Sequence, residues 1–217
     1  TCTKLRLTML KPKFCLLFFF AGISLVANAQ NFKSLGGAGK FYFQPQLKAL
    51  ACQIDGDGAS GYNKIGYSIG VNTGYTLGDF QSMEWGIGYS ERGSQRGINP
   101  ELGIFNPFHI RLNHLDTRLS YHQWYEQFLL GAGIQVHLLT SAREEIGIAP
   151  RIQEDYRPIS SSLWVSVRYE LSEKWSAEAT ASYSLFSMVK NGGIIRNPLY
   201  PAGVYSNNIG LGLIFTP

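Results

Sequence analysis

Trp175-Ser176-Ala177-Glu178-Ala179-Thr180-Ala181-Ser182-Tyr183-Ser184-Leu185 is a stretch in which every second side chain is apolar and those between are small or polar. Successive side chains of an extended chain point to opposite faces, so this period of two predicts a strand over 175–185 with one apolar and one polar face. The stretch 163–171 repeats the pattern, with Leu163, Val165, Val167, Tyr169 and Leu171 set against Trp164, Ser166, Arg168 and Glu170. Ser172-Glu173-Lys174 joins the two as a short turn, which makes the pair a hairpin. With the turn centred on Glu173, Arg168 and Glu178 are direct cross-strand partners on the polar face.

The same alternation recurs along the chain. Strands are predicted over 41–51, 65–75, 83–89, 110–121, 128–138 and 205–216. Pro45 is an awkward residue in the first of them, because it cannot donate to a ladder. In the stretch 110–121 the apolar phase shifts near Asn113-His114, which reads as a β-bulge. Connections alternate between tight turns, such as Leu77-Gly78-Asp79-Phe80, and long loops at about 52–63, 93–108, 140–159 and 189–204. An even number of strands with alternating short and long connections is the layout of outer-membrane barrels, whose short turns and termini lie on the periplasmic side.

Soluble barrels also alternate, and the polar face separates the two cases. Here it is rich in glycine and serine, which suits a cramped lumen, whereas a solvated exterior carries many Lys and Glu. The composition agrees, at 13% aromatic and only 16% charged residues. Tyr75, Tyr121, Tyr125, Trp175 and Phe215 fall at one rim of the apolar face, and Tyr67, Tyr89, Tyr183 and Tyr205 at the other, as interfacial girdles do. The expected fold is all-β: an eight-stranded antiparallel up-and-down transmembrane β-barrel.

Upstream of the barrel, Met9, Lys11 and Lys13 precede an apolar run over 14–26 and then Ala27-Asn28-Ala29. A basic segment, an apolar run too short to span a bilayer and a small-x-small site make a secretory signal peptide, with cleavage expected after Ala29. The expected domains are therefore 1–29, removed on export, and 30–217, the barrel. Lys4, Arg6, Lys11 and Lys13 leave with the first and no acid does, so the 19 Lys and Arg fall to the number of Asp and Glu, 15. A neutral mature chain removes the electrostatic case for a nucleic-acid partner. Cys2 and Cys15 leave too, so lone Cys52 is read as a small buried filler. Cys15 precedes the apolar run, which argues against a lipoprotein.

Several stretches resemble the PorT-like outer-membrane β-barrel family. They are the Ala29-Gln30 junction, Trp85-Gly86-Ile87-Gly88-Tyr89-Ser90-Glu91-Arg92-Gly93-Ser94, His114-Leu115-Asp116-Thr117-Arg118-Leu119-Ser120-Tyr121, Phe128-Leu129-Leu130-Gly131-Ala132-Gly133 and Gly210-Leu211-Gly212-Leu213. The family's fourth strand usually carries a proline where this chain has Thr117. The resemblance implies an outer-membrane barrel of a Gram-negative bacterium and offers no catalytic residue; one namesake of the family assists protein secretion.

By strand parity the lumen should receive Lys48, Arg92, Arg111, Arg118 and Arg168 together with Glu84, Asp116, Glu170 and Glu178. Eight strands leave an interior just wide enough for side chains, so these charges are expected to form a plugging network. The alternative is a narrow small-solute pore. For an enzyme acting on lipid or peptide at the rim, the candidates are His109 and His114 in the outer half, His122 in a periplasmic turn and His137 in the lumen, with Ser90 or Ser160; they form no local catalytic motif. Asp55-Gly56-Asp57-Gly58 matches part of a calcium loop but lacks the downstream acid, and reads as turn chemistry. The charged third loop (Arg143, Glu144, Glu145, Arg151, Glu154, Asp155, Arg157) and the fourth, with Asn191-Gly192-Gly193, Pro198 and Pro201, read as solvated surface. The expectation is a monomeric, non-enzymatic barrel without cofactor or metal. Its partners are expected to be outer-membrane lipid and, through the outward loops, other envelope proteins.

Overall fold

The computed structural model describes residues 39–56, 61–102, 107–125, 127–146, 149–151, 156–189 and 204–217. The signal segment and the Asp57-Gly58 half of the possible calcium loop lie outside them, as do most of the fourth loop and Glu154 and Asp155 of the third.

Nine strands are described: β1 (Phe41–Asp55), β2 (Lys64–Gly78), β3 (Gln81–Arg96), β4 (Phe108–Tyr125), β5 (Phe128–Ile146), β6 (Ala149–Arg151), β7 (Ile159–Glu170), β8 (Trp175–Ser184) and β9 (Tyr205–Phe215). Eight of them form the barrel. Each pairs antiparallel with its sequence neighbour, β7 pairs with β5, and β1 pairs with β9 to close the sheet. The ninth, β6, falls in the predicted third loop and pairs only with the far end of β5, Glu144 opposite Arg151. Arg168 and Glu178 are direct partners in the β7–β8 hairpin. On the β9 side the β1 ladder begins at Gln46, next to Pro45, so the proline stands at the margin of that pairing.

The barrel is inside out relative to a soluble protein. Ile65 (83%), Leu211 (68%), Leu119 (55%), Ile134 (53%) and Val165 (52%) are exposed around the whole outer face, while Lys48, Glu84, Asp116, Arg168 and Glu178 are buried within. Soluble monomers rarely expose a contiguous apolar patch beyond a few hundred Å², so a continuous belt belongs in lipid. Polar groups on the belt are satisfied locally, as lipid requires. The Trp85 indole N–H donates to the Thr117 hydroxyl at 2.9 Å, and the Thr73 hydroxyl donates to the Trp85 carbonyl at 3.2 Å.

Strand heights are unequal. β5 has 19 residues and β4 has 18, against 10 in β8 and 11 in β9. At about 3.3 Å per residue and a tilt near 40°, β5 rises roughly 45 Å, well above an apolar band about 25 Å tall. The predicted loops at 93–108 and 140–159 are therefore partly strand, because β3 runs to Arg96 and β5 to Ile146.

The phase shift near Asn113-His114 has another cause than a bulge in β4. Inward alternation along β4 is unbroken, through Phe108, Ile110, Leu112, His114, Asp116, Arg118, Ser120 and His122. The irregularity sits on β5, where Thr140 is the extra residue between the pairs Asn113–Ser141 and His114–Leu139; its hydroxyl donates to the Asn113 carbonyl at 2.9 Å. What changes along β4 is the interior itself. Above the membrane Phe108, Ile110 and Leu112 turn inward and pack with Ile54, Tyr156 and Met188 into an apolar cap across the loop end of the lumen. Burial against loop residues rewards apolar side chains there, which the alternation alone does not reveal.

Candidate functional site

Two hydrogen-bonded clusters fill the lumen below the cap. The lower one centres on Arg168 of β7. Its guanidinium donates to both oxygens of Glu84 (2.8 and 3.0 Å), to Glu178 (3.1 and 3.4 Å) and to the Gln44 side-chain carbonyl (3.0 Å). Glu178 is also paired with Lys48. Glu84 accepts from the Tyr42 hydroxyl at 2.9 Å and lies 3.3 Å from His122 Nε2 and 3.9 Å from Arg118. Arg118 stacks over Trp164 at 3.9 Å and donates to Asn72 at 2.9 Å. Charged groups taken out of water persist only when paired and hydrogen-bonded, and this cluster supplies those partners from β1, β2, β3, β4, β7 and β8.

The upper cluster centres on Asp116 of β4. It accepts from Arg92 (2.7 Å), from the Ser90 hydroxyl (2.7 Å) and from His137 Nδ1 (2.7 Å). His137 Nε2 lies 2.9 Å from Ser162 Oγ and 3.4 Å from Arg92 Nη1. With Nδ1 donating to the carboxylate, Nε2 is left as the acceptor, and Ser162 donates to it. Ser162, His137 and Asp116 thus form a serine–imidazole–carboxylate series on three strands. Its serine is 1% exposed, and the Arg92 guanidinium reaches both the acid and the imidazole.

Of the charges expected in the lumen, Lys48, Glu84, Arg92, Asp116, Arg118, Arg168 and Glu178 are inside. Two are not. Arg111 is on the outer face with its side chain 46% exposed, 3.3 Å from Glu91, because Ile110 and Leu112 take the inward positions beside it. Glu170 keeps inward parity but ends β7 at the turn end, where it is exposed to solvent. His122 is no turn residue: β4 runs past it to Tyr125, and it is fully buried against Glu84. His114 is buried beside His137, with ring centres 5.7 Å apart. Among the described residues, no three His, Cys, Asp or Glu come together as a metal site. Asp55 instead accepts from Gln53 and, at 2.6 Å, from Asn207, which ties the end of β1 to β9.

At the turn end of the belt Tyr75 packs against Phe41 (4.8 Å) and Trp175 against Phe215 (5.0 Å), with Tyr121 and Tyr125 exposed nearby. At the loop end Tyr67 packs on Tyr89 (6.2 Å), and Tyr183 stacks on Tyr205 (6.3 Å), which is largely covered. Above that rim β3, β4 and β5 form a polar outer wall, where a surface recess is lined by His109, Arg111, Arg143 and Glu145. Partial burial and then the charges of Lys64 and Arg111 hold His109 below the usual imidazole range.

The fold has solved counterparts. Neisserial surface protein A superposes with a TM-score of 0.54 at 15% identity, over 81% of this chain and 97% of that one. The fold is that of a small outer-membrane barrel. Ail, the attachment invasion locus protein of Yersinia pestis (TM-score 0.43, 12% identity, 81% and 99% coverage), and the N-terminal β-barrel domain of Pseudomonas aeruginosa OprF (0.41, 15%, 82% and 100%) align over similar lengths. No protein-family model matches the chain, and no curated protein matches it.

Ser162, Tyr42, Gln44, Asn72 and Trp164 take part in the lumen clusters without having been singled out in the sequence. Inward parity marks each of them; only closure of the barrel selects their partners.

Proposed function

We propose that this protein is a non-enzymatic outer-membrane barrel whose side-chain-filled lumen serves as a rigid anchor for an outward-facing wall and loops, which meet other components of the envelope. The observation that carries the reading is the lumen itself. Two bonded clusters and an apolar cap occupy it from the turn end to the loop end, which leaves the polar wall of β3, β4 and β5 as the surface available to a partner. Adhesion, envelope integrity and assistance to secretion all use such a surface, and the resemblance to PorT-like barrels favours the last.

Planar-bilayer recording tests the anchor. The expected trace is flat, and stepwise conductance at physiological salt would return the narrow-pore reading. Site-specific photocrosslinking from Arg143 and Glu145 in growing cells tests the wall. One discrete envelope adduct, absent when the crosslinker is placed at Gln81 on the turn side, is the expected result.

The Ser162–His137–Asp116 series favours a second reading, a hydrolase or acyltransferase. Against it stand the sealed serine and the Arg92 guanidinium beside the imidazole. A fluorophosphonate probe applied to the folded barrel should leave Ser162 unlabelled; labelling abolished by His137→Gln would establish the enzyme.

A further inference from the structure

Buried charge in the lumen does not balance. Lys48, Arg92, Arg118 and Arg168 face Glu84, Asp116 and Glu178, all nine-tenths or more buried; Lys64, equally buried, is answered by the less buried Glu91 at 3.3 Å, which leaves one positive charge in excess before any imidazole proton is counted. An uncompensated charge in a water-poor interior is costly unless a counter-charge joins it.

The place for one is a cavity of about 30 Å³ between the two clusters. Lys48, Arg92, Arg118, Gln135, Trp164 and Asn208 are on its wall. Three buried polar atoms of those residues have no hydrogen-bond partner among the described residues: Arg92 Nε, Arg118 Nε and Asn208 Nδ2. All three are donors. The one carboxylate on the wall, Asp116, is already committed, one oxygen to His137 and the other to Ser90 and Arg92. A water molecule placed there would bond to the polar wall but leave the excess charge unanswered. An anion would answer it.

We infer that the cavity between the two lumen clusters is a binding site for one small monovalent anion of halide size, set among Lys48, Arg92, Arg118 and Asn208. The excess of a single charge selects a monovalent ion. The volume sets the size, since a water needs roughly 10–15 Å³ and the cavity offers about two to three times that. The site is independent of the outer wall: the anion is a structural part of the plug, bound without being conducted, and it stands or falls separately from any partner.

Trp164 reports on the site directly, because its buried ring is part of the wall. In a variant carrying Trp85→Phe, Trp124→Phe and Trp175→Phe, the remaining tryptophan is titrated with iodide at constant ionic strength, with gluconate as the replaced anion. The expected result is saturable quenching, competed by chloride and not by gluconate. Asn208→Asp places a fixed negative charge among the donors and should weaken iodide at least tenfold, while the heat-modifiable gel shift of the folded barrel is retained. Linear or absent quenching in a folded barrel overturns the inference and assigns the cavity to water. If the triple variant does not fold, the wild-type protein decides. Its urea midpoint should be higher in chloride than in gluconate, with the difference abolished by Asn208→Asp. Equal midpoints in the two salts overturn the site.

Discussion

Replacing Arg168 with methionine keeps the aliphatic stem and removes the guanidinium that joins β7 to β1, β3 and β8. All five of its N–H groups are engaged, two with Glu84, two with Glu178 and one with Gln44. Five charge-assisted bonds at about 1.5 kcal/mol or more apiece would sum to over 7 kcal/mol, but that sum overstates the loss. Glu178 keeps Lys48, and Glu84 keeps Tyr42, His122 and the more distant Arg118. The cost that remains is that of two carboxylates left short of a buried partner, about 3–5 kcal/mol. For a urea slope near 2 kcal/mol per M this lowers the unfolding midpoint by roughly 1.5–2.5 M. The assay is reversible urea unfolding in detergent or lipid, followed by heat-modifiable gel mobility and tryptophan fluorescence. Glu170→Gln, at the exposed turn end of the same strand, is the control and should move the midpoint by less than about 0.3 M, as surface substitutions do. If Arg168→Met shifts the midpoint no more than that control, the lumen cluster is not what holds the barrel together.

Gly74 faces the Tyr42 ring so closely that a Cβ would overlap it, so Gly74→Val should displace the tyrosine from Glu84 and cost about 1–3 kcal/mol in the same titration. Ile134, midway along the belt between Leu119 and Leu163, should tolerate leucine; lysine there should cost about 2–4 kcal/mol in lipid, with little effect in detergent. The apolar cap can be opened by Phe108→Ala with Leu112→Ala, each of which removes side-chain volume from a packed site. Buried Cys52 is two residues below the cap residue Ile54, so a water-soluble maleimide should label it slowly in the wild-type barrel and at least tenfold faster once the cap is cut. Equal labelling rates would show that the cap does not seal the lumen.

The hairpin at 163–185 was fully legible in the sequence, down to the Arg168–Glu178 pair, because its register is set by a turn of a few residues and a period of two. The order of the eight barrel strands was legible too, since each pairs with the next barrel strand along the chain, whereas the short β6 inside the third loop was not. Contacts across the lumen were not. Arg168 meets Glu84 from the other side of the barrel, and His137 meets Asp116 and Ser162 from strands on either side of its own; those meetings depend on how far the strands stagger when the sheet closes, which no local pattern encodes. Arg111 and His122 were misplaced for a related reason. β4 extends beyond the lipid belt at both ends, where its inward face is apolar at the loop end, through Phe108, Ile110 and Leu112, and carries His122 at the turn end.

Unequal strand lengths give the molecule a front and a back. On the β7–β9 side the sheet ends close to the lipid rim, whereas on the β3–β5 side it continues as a stiff, hydrogen-bonded palisade with Arg111, Arg143 and Glu145 on its outer surface. A neighbour drifting in the plane of the membrane therefore meets a charged strand wall from one bearing and shorter strands from the other. Contact in the membrane is thereby directional before any loop takes part.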